Sequence, residues 1–317
     1  MVNLRSLSLY SINRERPIEV VLQHLSSMTQ LSSLTFSSSR GYLNIIHTET
    51  VIEQATAIIA KVLEVNKTLI QLDLRHNVIS DIGGRALAKA LKVNGTLTHL
   101  DLEDNEMSNR GCEAFAVALK VNKTLTLLNL GRNRISVRGA EALAEALKVN
   151  KTLTQLKLES NKISVRGSEM LAEALRLNKT LTQLDLGWNG ISDRGSEALA
   201  EALKVNKTLT QLGLGWNRIA DRGSEVLAEA LKLSLNTINL LTYYIMATQD
   251  QASLLTSTTP QKNSRVPPSV KRLRSERSPE DVRTTFIEAL KSDLMLQRAV
   301  ADIVQTNPDS IVQSADS

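Results

Sequence analysis

A nine-residue segment beginning at Leu181, Leu-Thr-Gln-Leu-Asp-Leu-Gly-Trp-Asn, returns in altered form every 28 residues along most of this chain. Each return ends in an asparagine, and a glycine follows six residues later. The asparagines are Asn77, Asn105, Asn133, Asn161, Asn189 and Asn217, and the glycines are Gly83, Gly111, Gly139, Gly167, Gly195 and Gly223. A fixed period of this length indicates one supersecondary unit copied in tandem, so the sequence predicts a solenoid.

Each unit combines the periodicity of a strand with that of a helix. Leu184 and Leu186 alternate with Asp185, which predicts a short strand with one buried face. In the segment that follows, Leu199 and Leu203 recur at helical spacing. Strands joined by helices must all run in one direction, so we expect a parallel sheet. Because helices are wider than the strand spacing of about 4.8 Å, the strands should line a concave face and the helices a convex face.

The pattern Leu-x-x-Leu-x-Leu-x-x-Asn-x-Ile, followed by glycine and an Ala/Leu-rich helix, resembles the leucine-rich repeat of the ribonuclease-inhibitor-like subtype. The repeats are also similar to those of NOD-like receptors, Ran GTPase-activating protein and tropomodulin. The resemblance covers residues 59–241. It implies an α/β horseshoe solenoid, with a parallel sheet on the concave face and helices on the convex face. Function is not implied as specifically, since this scaffold serves many unrelated tasks.

The repeat pattern divides the chain into five predicted segments. They are degenerate N-terminal repeats at 1–58, six regular repeats and a degenerate closing repeat at 59–242, a flexible basic linker at 243–278, an amphipathic C-terminal helix at 279–306 and a disordered tail at 307–317. A strand pattern begins almost at Met1 without a polar capping segment, so we expect a fragment, a truncated gene product or a lost N-terminal domain.

The recurrent residues have structural roles. The asparagine amide can satisfy backbone groups that the sheet does not reach, and the Ile or Met two residues later is expected in the core. The glycine is expected to form a tight turn into the helix. Six Asn-x-Thr triplets, at Asn66, Asn94, Asn122, Asn150, Asn178 and Asn206, match the N-glycosylation pattern. We interpret them as helix-to-strand turns in which asparagine adopts left-handed geometry.

Composition favours a cytoplasmic location. No run of 18 apolar residues exists and no apolar block near Met1 is long enough for a signal peptide, so neither secretion nor a membrane partner is expected. Lys271, Arg272 and Arg274 form a short nuclear-localisation candidate, which leaves the nucleus as an alternative. Cys112 is the only cysteine, which excludes an intramolecular disulfide.

The sequence carries no recognisable catalytic constellation. It has no Gly-x-x-x-x-Gly-Lys phosphate loop, and its four histidines lack metal-binding spacing. No nucleophile is indicated, so we predict neither enzymatic activity, nor a cofactor, nor a metal.

The concave surface is the predicted binding site for a protein partner. Asp101, Glu103 and Asp104 form an acidic centre on a surface of mixed sign, which disfavours nucleic acid along the groove. Trp188 and Trp216 occupy the same position in adjacent repeats, about one strand spacing apart, and could anchor a partner beside Asp185. The alternative is that both tryptophans merely cover a loop in a duplicated repeat.

These observations favour a non-enzymatic protein-binding scaffold of NOD-like-receptor or ribonuclease-inhibitor type. One alternative, implied by resemblance, is a GTPase activator similar to Ran GTPase-activating protein. That family carries an acidic tail, whereas the linker at 243–278 that follows the repeats here is basic. The other is a cytoskeletal cap similar to tropomodulin.

Overall fold

The structure of the repeats comes from a computed structural model that describes residues 6–10, 31–37 and 48–233. The predicted linker, C-terminal helix and tail lie outside the described residues, and so do Lys271, Arg272 and Arg274. The predicted closing repeat, which begins at Leu233, also falls almost entirely outside them.

Eight strands form one parallel sheet in which spatial order follows chain order. They are β1 (Ser6–Tyr10), β2 (Ser33–Ser37), β3 (Gln71–Asp73), β4 (His99–Asp101), β5 (Leu127–Asn129), β6 (Gln155–Lys157), β7 (Gln183–Asp185) and β8 (Gln211–Gly213). From β3 onward each residue pairs with its equivalent 28 positions later, as Leu72 does with Leu100. The unit between β2 and β3 is longer than 28 residues. The two strands nevertheless pair in the same register as the others, because Leu34 pairs with Leu72.

Seven helices within the described ranges alternate with these strands, each packing on the next. They are α1 (Thr48–Val65), α2 (Asp81–Leu91), α3 (Asn109–Val121), α4 (Val137–Leu147), α5 (Ser164–Leu177), α6 (Asp193–Val205) and α7 (Asp221–Leu233). This arrangement confirms the predicted leucine-rich-repeat solenoid, with the sheet on the concave face and the helices on the convex face. None of the described helices is long and apolar enough to cross a membrane.

A single hydrophobic core runs between the sheet and the helices. In each repeat the strand leucines point inward, and Leu156 and Leu158 retain at most 1% exposure. Alanines such as Ala144 and Ala146 form much of the inner helix surface and are similarly buried. Their small side chains let each helix approach the sheet closely, so neighbouring repeats share one apolar layer.

The recurrent asparagines form a hydrogen-bonded ladder, as predicted. The side-chain amide of Asn105 donates to the Leu74 carbonyl at 2.8 Å and to the Glu103 carbonyl at 3.1 Å. Its oxygen accepts from the backbone N–H groups of Asn77 and Ile79 at 3.1 and 3.0 Å. One asparagine therefore satisfies the turn of the preceding repeat as well as its own, beyond the reach of the three-residue strands.

The asparagines of the Asn-x-Thr triplets build a second ladder at the other end of each strand. The Asn122 side-chain oxygen accepts from the Leu125 N–H at 2.8 Å, and its amide donates to the Leu91 carbonyl at the end of α2, also at 2.8 Å. All six are at most 9% exposed, so their amides are inaccessible to a glycan in this fold. The predicted left-handed geometry was wrong: Asn122 is extended, with φ −66° and ψ 138°. The side chain, rather than a backbone reversal, satisfies the turn.

The recurrent glycine serves close packing, and the predicted tight turn was wrong. Among the described glycines only Gly190 has a positive φ. A methyl group on Gly83 would lie 2.7 Å from Cγ2 of Ile79, and one on Gly139 would lie 2.6 Å from Cγ2 of Ile135. The glycine therefore makes room for the core isoleucine of its own repeat.

A third ladder caps the helices. The Asp81 carboxylate accepts from the backbone N–H groups of Ser108 and Gly111, at 2.8 and 2.9 Å, and so caps α3 from the preceding repeat. Asn109 and Asp193 cap α4 and α7 in the same way. Val137 and Val165 occupy the equivalent position and cannot accept a hydrogen bond, and no side-chain bond caps α5 or α6.

The first ladder yields a stability prediction. Replacing Asn133 by Ala removes the donor to the Leu102 carbonyl and the acceptor of the Asn105 and Met107 N–H groups, leaving three buried backbone groups unpaired. We expect the free energy of unfolding to fall by about 3 kcal/mol in urea denaturation. Gln71→Ala, at an exposed strand position, is the control and should change it by less than about 0.5 kcal/mol. Equal effects of the two substitutions would contradict the structural role of the ladder.

Candidate partner-binding surface

Outward-facing residues form continuous rows across the repeats, because every strand pairs in the same register. One row consists of the last residue of each strand from β3 to β8: Asp73, Asp101, Asn129, Lys157, Asp185 and Gly213. A second row, the loop row, lies three residues further on and contains His76, Asp104, Arg132, Ser160, Trp188 and Trp216. The two rows contain all the predicted partner-binding residues except Glu103, which lies between Asp101 and Asp104 of the two rows.

The loop row has one backbone conformation throughout. All six residues are left-handed, with φ between 51° and 59°. Backbone hydrogen bonds hold them in place, and the Trp188 N–H donates to the Gly215 carbonyl at 2.9 Å. A left-handed backbone disfavours a side chain with a Cβ by about 1 kcal/mol or more. The backbone therefore does not explain why bulky tryptophans occupy this position.

Trp188 and Trp216 stack on each other, with ring centroids 4.7 Å apart and planes inclined by 17°. The separation agrees with the strand spacing predicted from their positions. Trp188 is 55% exposed even within the stack, and Trp216 is partly exposed. The pair therefore presents a rigid aromatic surface to solvent.

Glycines lie beside this pair in the sheet and in the loops. Gly187 and Gly215 precede the two tryptophans, and Gly213 pairs with Asp185 in the sheet. A methyl group on Gly187 would lie 3.3 Å from the Gly215 carbonyl oxygen and 3.4 Å from Oδ1 of Asp185. Asp185 in turn accepts a hydrogen bond from the Gly187 N–H at 3.0 Å. Gly187 and Gly213 are themselves buried, so these glycines let the backbones of the two repeats pack closely beside Asp185.

The acidic residues predicted at the centre of the face are paired with basic side chains. The Glu103 carboxylate lies 3.1 Å from Nε of Arg132, and the Asp104 carboxylate lies 2.9 Å from Nδ1 of His76. Asp101 lies 3.6 Å from Nε of Arg75. Burial raises the pKa of Asp101, although hydrogen bonds from Glu103 N–H and Asn129 partly offset this effect. These carboxylates thus belong to an ion-pair network of mixed sign rather than to a purely negative patch.

Glu159 is the most perturbed acid on the concave face, and sequence reasoning gave it no special role. Burial, followed by the charges of Asp185 and Glu103, raises its pKa from 4.5 to about 7. Its carboxyl group covers Gly131, where a methyl group would lie 2.5 Å from Oε1. Its Oε2 is buried and has no hydrogen-bond partner within the described structure. With a pKa near neutral pH, the charge of the Glu159 carboxyl group therefore depends on the charged groups next to it.

The described residues contain no group of three or more His, Cys, Asp or Glu side chains placed to hold a metal ion. Cys112 is fully buried, and burial raises the pKa of its thiol. His76 bonds Asp104, and Nδ1 of His99 lies 2.7 Å from the Thr98 hydroxyl. The feature that distinguishes this surface is therefore its shape and charge.

The fold and the repeated asparagine ladders define a solenoid of the leucine-rich class. The leucine-rich repeat family profile matches six segments of the chain, at 65–88, 93–116, 121–144, 149–172, 177–200 and 205–228. The protein is a leucine-rich-repeat protein. No curated protein matches the sequence.

Three solved structures resemble the chain. The second actin-binding site of leiomodin-1 is 25% identical, with 53% of this chain and 92% of that one covered and a TM-score of 0.41. The C-terminal domain of Caenorhabditis elegans tropomodulin is 14% identical, with 54% and 98% covered and a TM-score of 0.42. A Listeria monocytogenes internalin is 22% identical, with 65% and 54% covered and a TM-score of 0.39. At these TM-scores the likenesses add nothing to the repeat assignment.

The raised pKa of Glu159 predicts a pH-dependent effect of Glu159→Gln. The folded state favours the protonated carboxyl, so wild-type stability should fall as pH rises from about 5 to above 7. Glutamine is neutral throughout, so the melting temperature of the variant relative to wild type should rise between about pH 5 and pH 8. Thermal denaturation at both pH values measures the difference.

Glu145→Gln is the matched control for this prediction. Glu145 is exposed on the convex face, where a hydrogen bond from Lys148 lowers the pKa of its carboxyl group. The residue is therefore charged at both pH values, and its substitution should have the same effect at each. An equal pH dependence in the two variants would rule out the assigned environment of Glu159.

Proposed function

We propose that this domain is a non-enzymatic scaffold that holds a protein partner against its concave face, with the Trp188–Trp216 stack as its anchor. Leucine-rich repeats are protein-interaction modules, and the particular surface used is the proposal. The observation that carries it is the exposure of two stacked indoles at a position whose left-handed backbone disfavours large side chains. Exposed tryptophans are frequent hot spots of protein interfaces.

The chemistry beside the stack favours a basic segment of the partner. Asp185 accepts a hydrogen bond from the Gly187 N–H, directly before Trp188, and Glu159 lies in the preceding repeat. An arginine or lysine of the partner can lie against an indole face while it approaches these carboxylates. Such a cation would also lower the pKa of Glu159, so binding near neutral pH should release a proton.

The acidic network of Asp101, Glu103 and Asp104 contributes less to this proposal than the sequence suggested. Each carboxylate already has an Arg or His side chain nearby, so the network would orient an approaching partner more than bind it. The mixed sign of the same surface supports a protein partner over nucleic acid. A NOD-like-receptor or ribonuclease-inhibitor type of scaffold fits this proposal.

Changing both tryptophans to alanine tests the anchor. Proteins captured from cell extract by the wild type are identified by mass spectrometry, and their affinities are then compared between variants. We expect Trp188→Ala with Trp216→Ala to weaken binding by about 2 kcal/mol or more. Loss of the stack should lower the free energy of unfolding by only about 1 kcal/mol. Because the chain has no other tryptophan, fluorescence quenching of the wild type reports directly on this site.

Gln155→Ala with Gln183→Ala is the matched control, since both glutamines face outward from β6 and β7 on the same concave surface. This variant should retain more affinity than the tryptophan variant. If the tryptophan variant binds its partners normally, the rings are packing elements and the proposed anchor is wrong.

The alternative function, a GTPase activator similar to Ran GTPase-activating protein, makes the opposite prediction about turnover. We expect catalytic amounts of the purified protein to leave the rate of GTP hydrolysis by a Ran-type GTPase unchanged. The reason is that the sequence offers no residue that could be assigned that family's catalytic role. A phosphate-release assay measures the rate, and a clear acceleration would replace the scaffold proposal with this alternative.

A further inference from the structure

One apolar side chain in each repeat is exposed at the last turn of the helix. These six residues are 51% to 64% exposed, and we call them the apolar ridge: Val65, Val93, Val121, Val149, Leu177 and Val205. Valine is only a moderate helix former, so neither burial nor helix propensity explains its use here. Positions on the concave face change between acidic, basic and neutral residues from repeat to repeat, whereas this position stays aliphatic.

The ridge is continuous from repeat to repeat, and the second ladder fixes the turns that carry it. Equivalent residues lie level with one another, because neighbouring strands pair without any offset. Each ridge residue directly precedes a buried asparagine of the second ladder, which joins its turn to the previous one. Asn94, for example, donates to the Leu63 carbonyl at 2.8 Å, and Asn150 donates to the Leu119 carbonyl at 2.7 Å. All six side chains therefore stand along one edge of the domain, in position to touch a flat surface together.

Basic residues flank the ridge on both sides. The residue before each ridge position and the residue two positions after it are Lys or Arg in ten of twelve cases, and Glu64 and Gly95 are the exceptions. The basic residues are Lys67, Lys92, Lys120, Lys123, Lys148, Lys151, Arg176, Lys179, Lys204 and Lys207. The whole chain has only five more basic than acidic residues, so its positive charge is concentrated on this edge.

Helix stability accounts for part of this charge. Lys179 donates to the Arg176 carbonyl at 3.3 Å, and a cation at a helix C-terminus is favoured by the helix dipole. Lys148 and Lys204 also pair with Glu145 and Glu201 at 2.6 Å. None of these interactions requires an exposed aliphatic residue between the lysines, so helix stability does not account for the combination of charge and apolar surface.

We propose that this edge docks on an anionic lipid surface. Lysines near a negatively charged membrane contribute about 1 kcal/mol each, and the aliphatic side chains between them enter the interfacial layer. A flat membrane can contact all six repeats, whereas a globular partner would reach only a few. Nucleic acid fits less well, because the ridge has no aromatic side chain for stacking. The sequence predicted no membrane partner because it has no spanning segment, and surface docking requires none.

Sedimentation with vesicles tests this proposal on the full chain. We expect it to bind vesicles of phosphatidylcholine with about 30% phosphatidylserine, and not pure phosphatidylcholine. Changing Lys92, Lys120, Lys123 and Lys151 to Gln should weaken binding by about 30-fold or more. Changing Val93, Val121 and Val149 to Ser should weaken it by about tenfold, because the apolar contribution is lost.

Two control variants distinguish the ridge from exposed apolar and basic residues elsewhere in the chain. Ile82→Ser alters a 54% exposed residue in the first turn of α2, at the opposite end of a helix, and should bind like the wild type. Replacing Lys271, Arg272 and Arg274 by Gln tests the basic tail and should leave most of the binding intact. The proposal is overturned if the full chain ignores anionic vesicles, if only the tail variant loses binding, or if the serine variant of the ridge binds as tightly as Ile82→Ser.

Discussion

Each strand of the regular repeats is only three residues long. Backbone N–H and C=O groups on either side of so short a strand need hydrogen-bond partners from elsewhere, and the rest of the structure depends on how they are supplied. The backbone groups at both ends of such a strand lie outside the sheet, within a domain whose core is continuous. Two asparagine ladders, represented by Asn105 and Asn122, satisfy these groups across the boundary between repeats. An unpaired buried backbone group is costly, so the asparagines hold both turns of every repeat in one conformation.

Fixed turns separate the positions that build the fold from those that can carry function. The loop row keeps its left-handed backbone whether the residue is histidine, aspartate, serine or tryptophan. The chain can therefore change the surface chemistry from one repeat to the next without altering the scaffold. The concave face uses this freedom, with ion pairs around Asp101 and an aromatic stack at Trp188. The edge beside the second ladder remains aliphatic at the ridge and largely basic beside it.

The fold was predictable because a 28-residue period repeats both strand and helix patterns, and the role of Asn105 followed from the shortness of the strands. Contacts between repeats were not predictable in the same way. The packing role of Gly83 depends on the position of Ile79. The negative charge of Glu103 is compensated by Arg132, which belongs to the next repeat. The pKa of Glu159 depends on burial against Gly131, which no local pattern reveals. The exposure of Val121 was also hidden, because a valine near a helix end suggests core when it is read from sequence alone.

The third ladder is interrupted in the middle of the solenoid, at the starts of α5 and α6. Asn109 and Asp193 tie the starts of α4 and α7 to the repeat before them, but Val137 and Val165 leave the starts of α5 and α6 without this tie. Helix α5 also begins one residue earlier than its neighbours, at Ser164. The two junctions around α5 thus lack a capping bond that the junctions on either side have, and they are held by the strand backbones, the asparagine ladders and the packing of the helices instead. They lie behind β6, between the ion-pair network and the tryptophan stack, so the two regions of the concave face that differ most in chemistry belong to opposite ends of this gap.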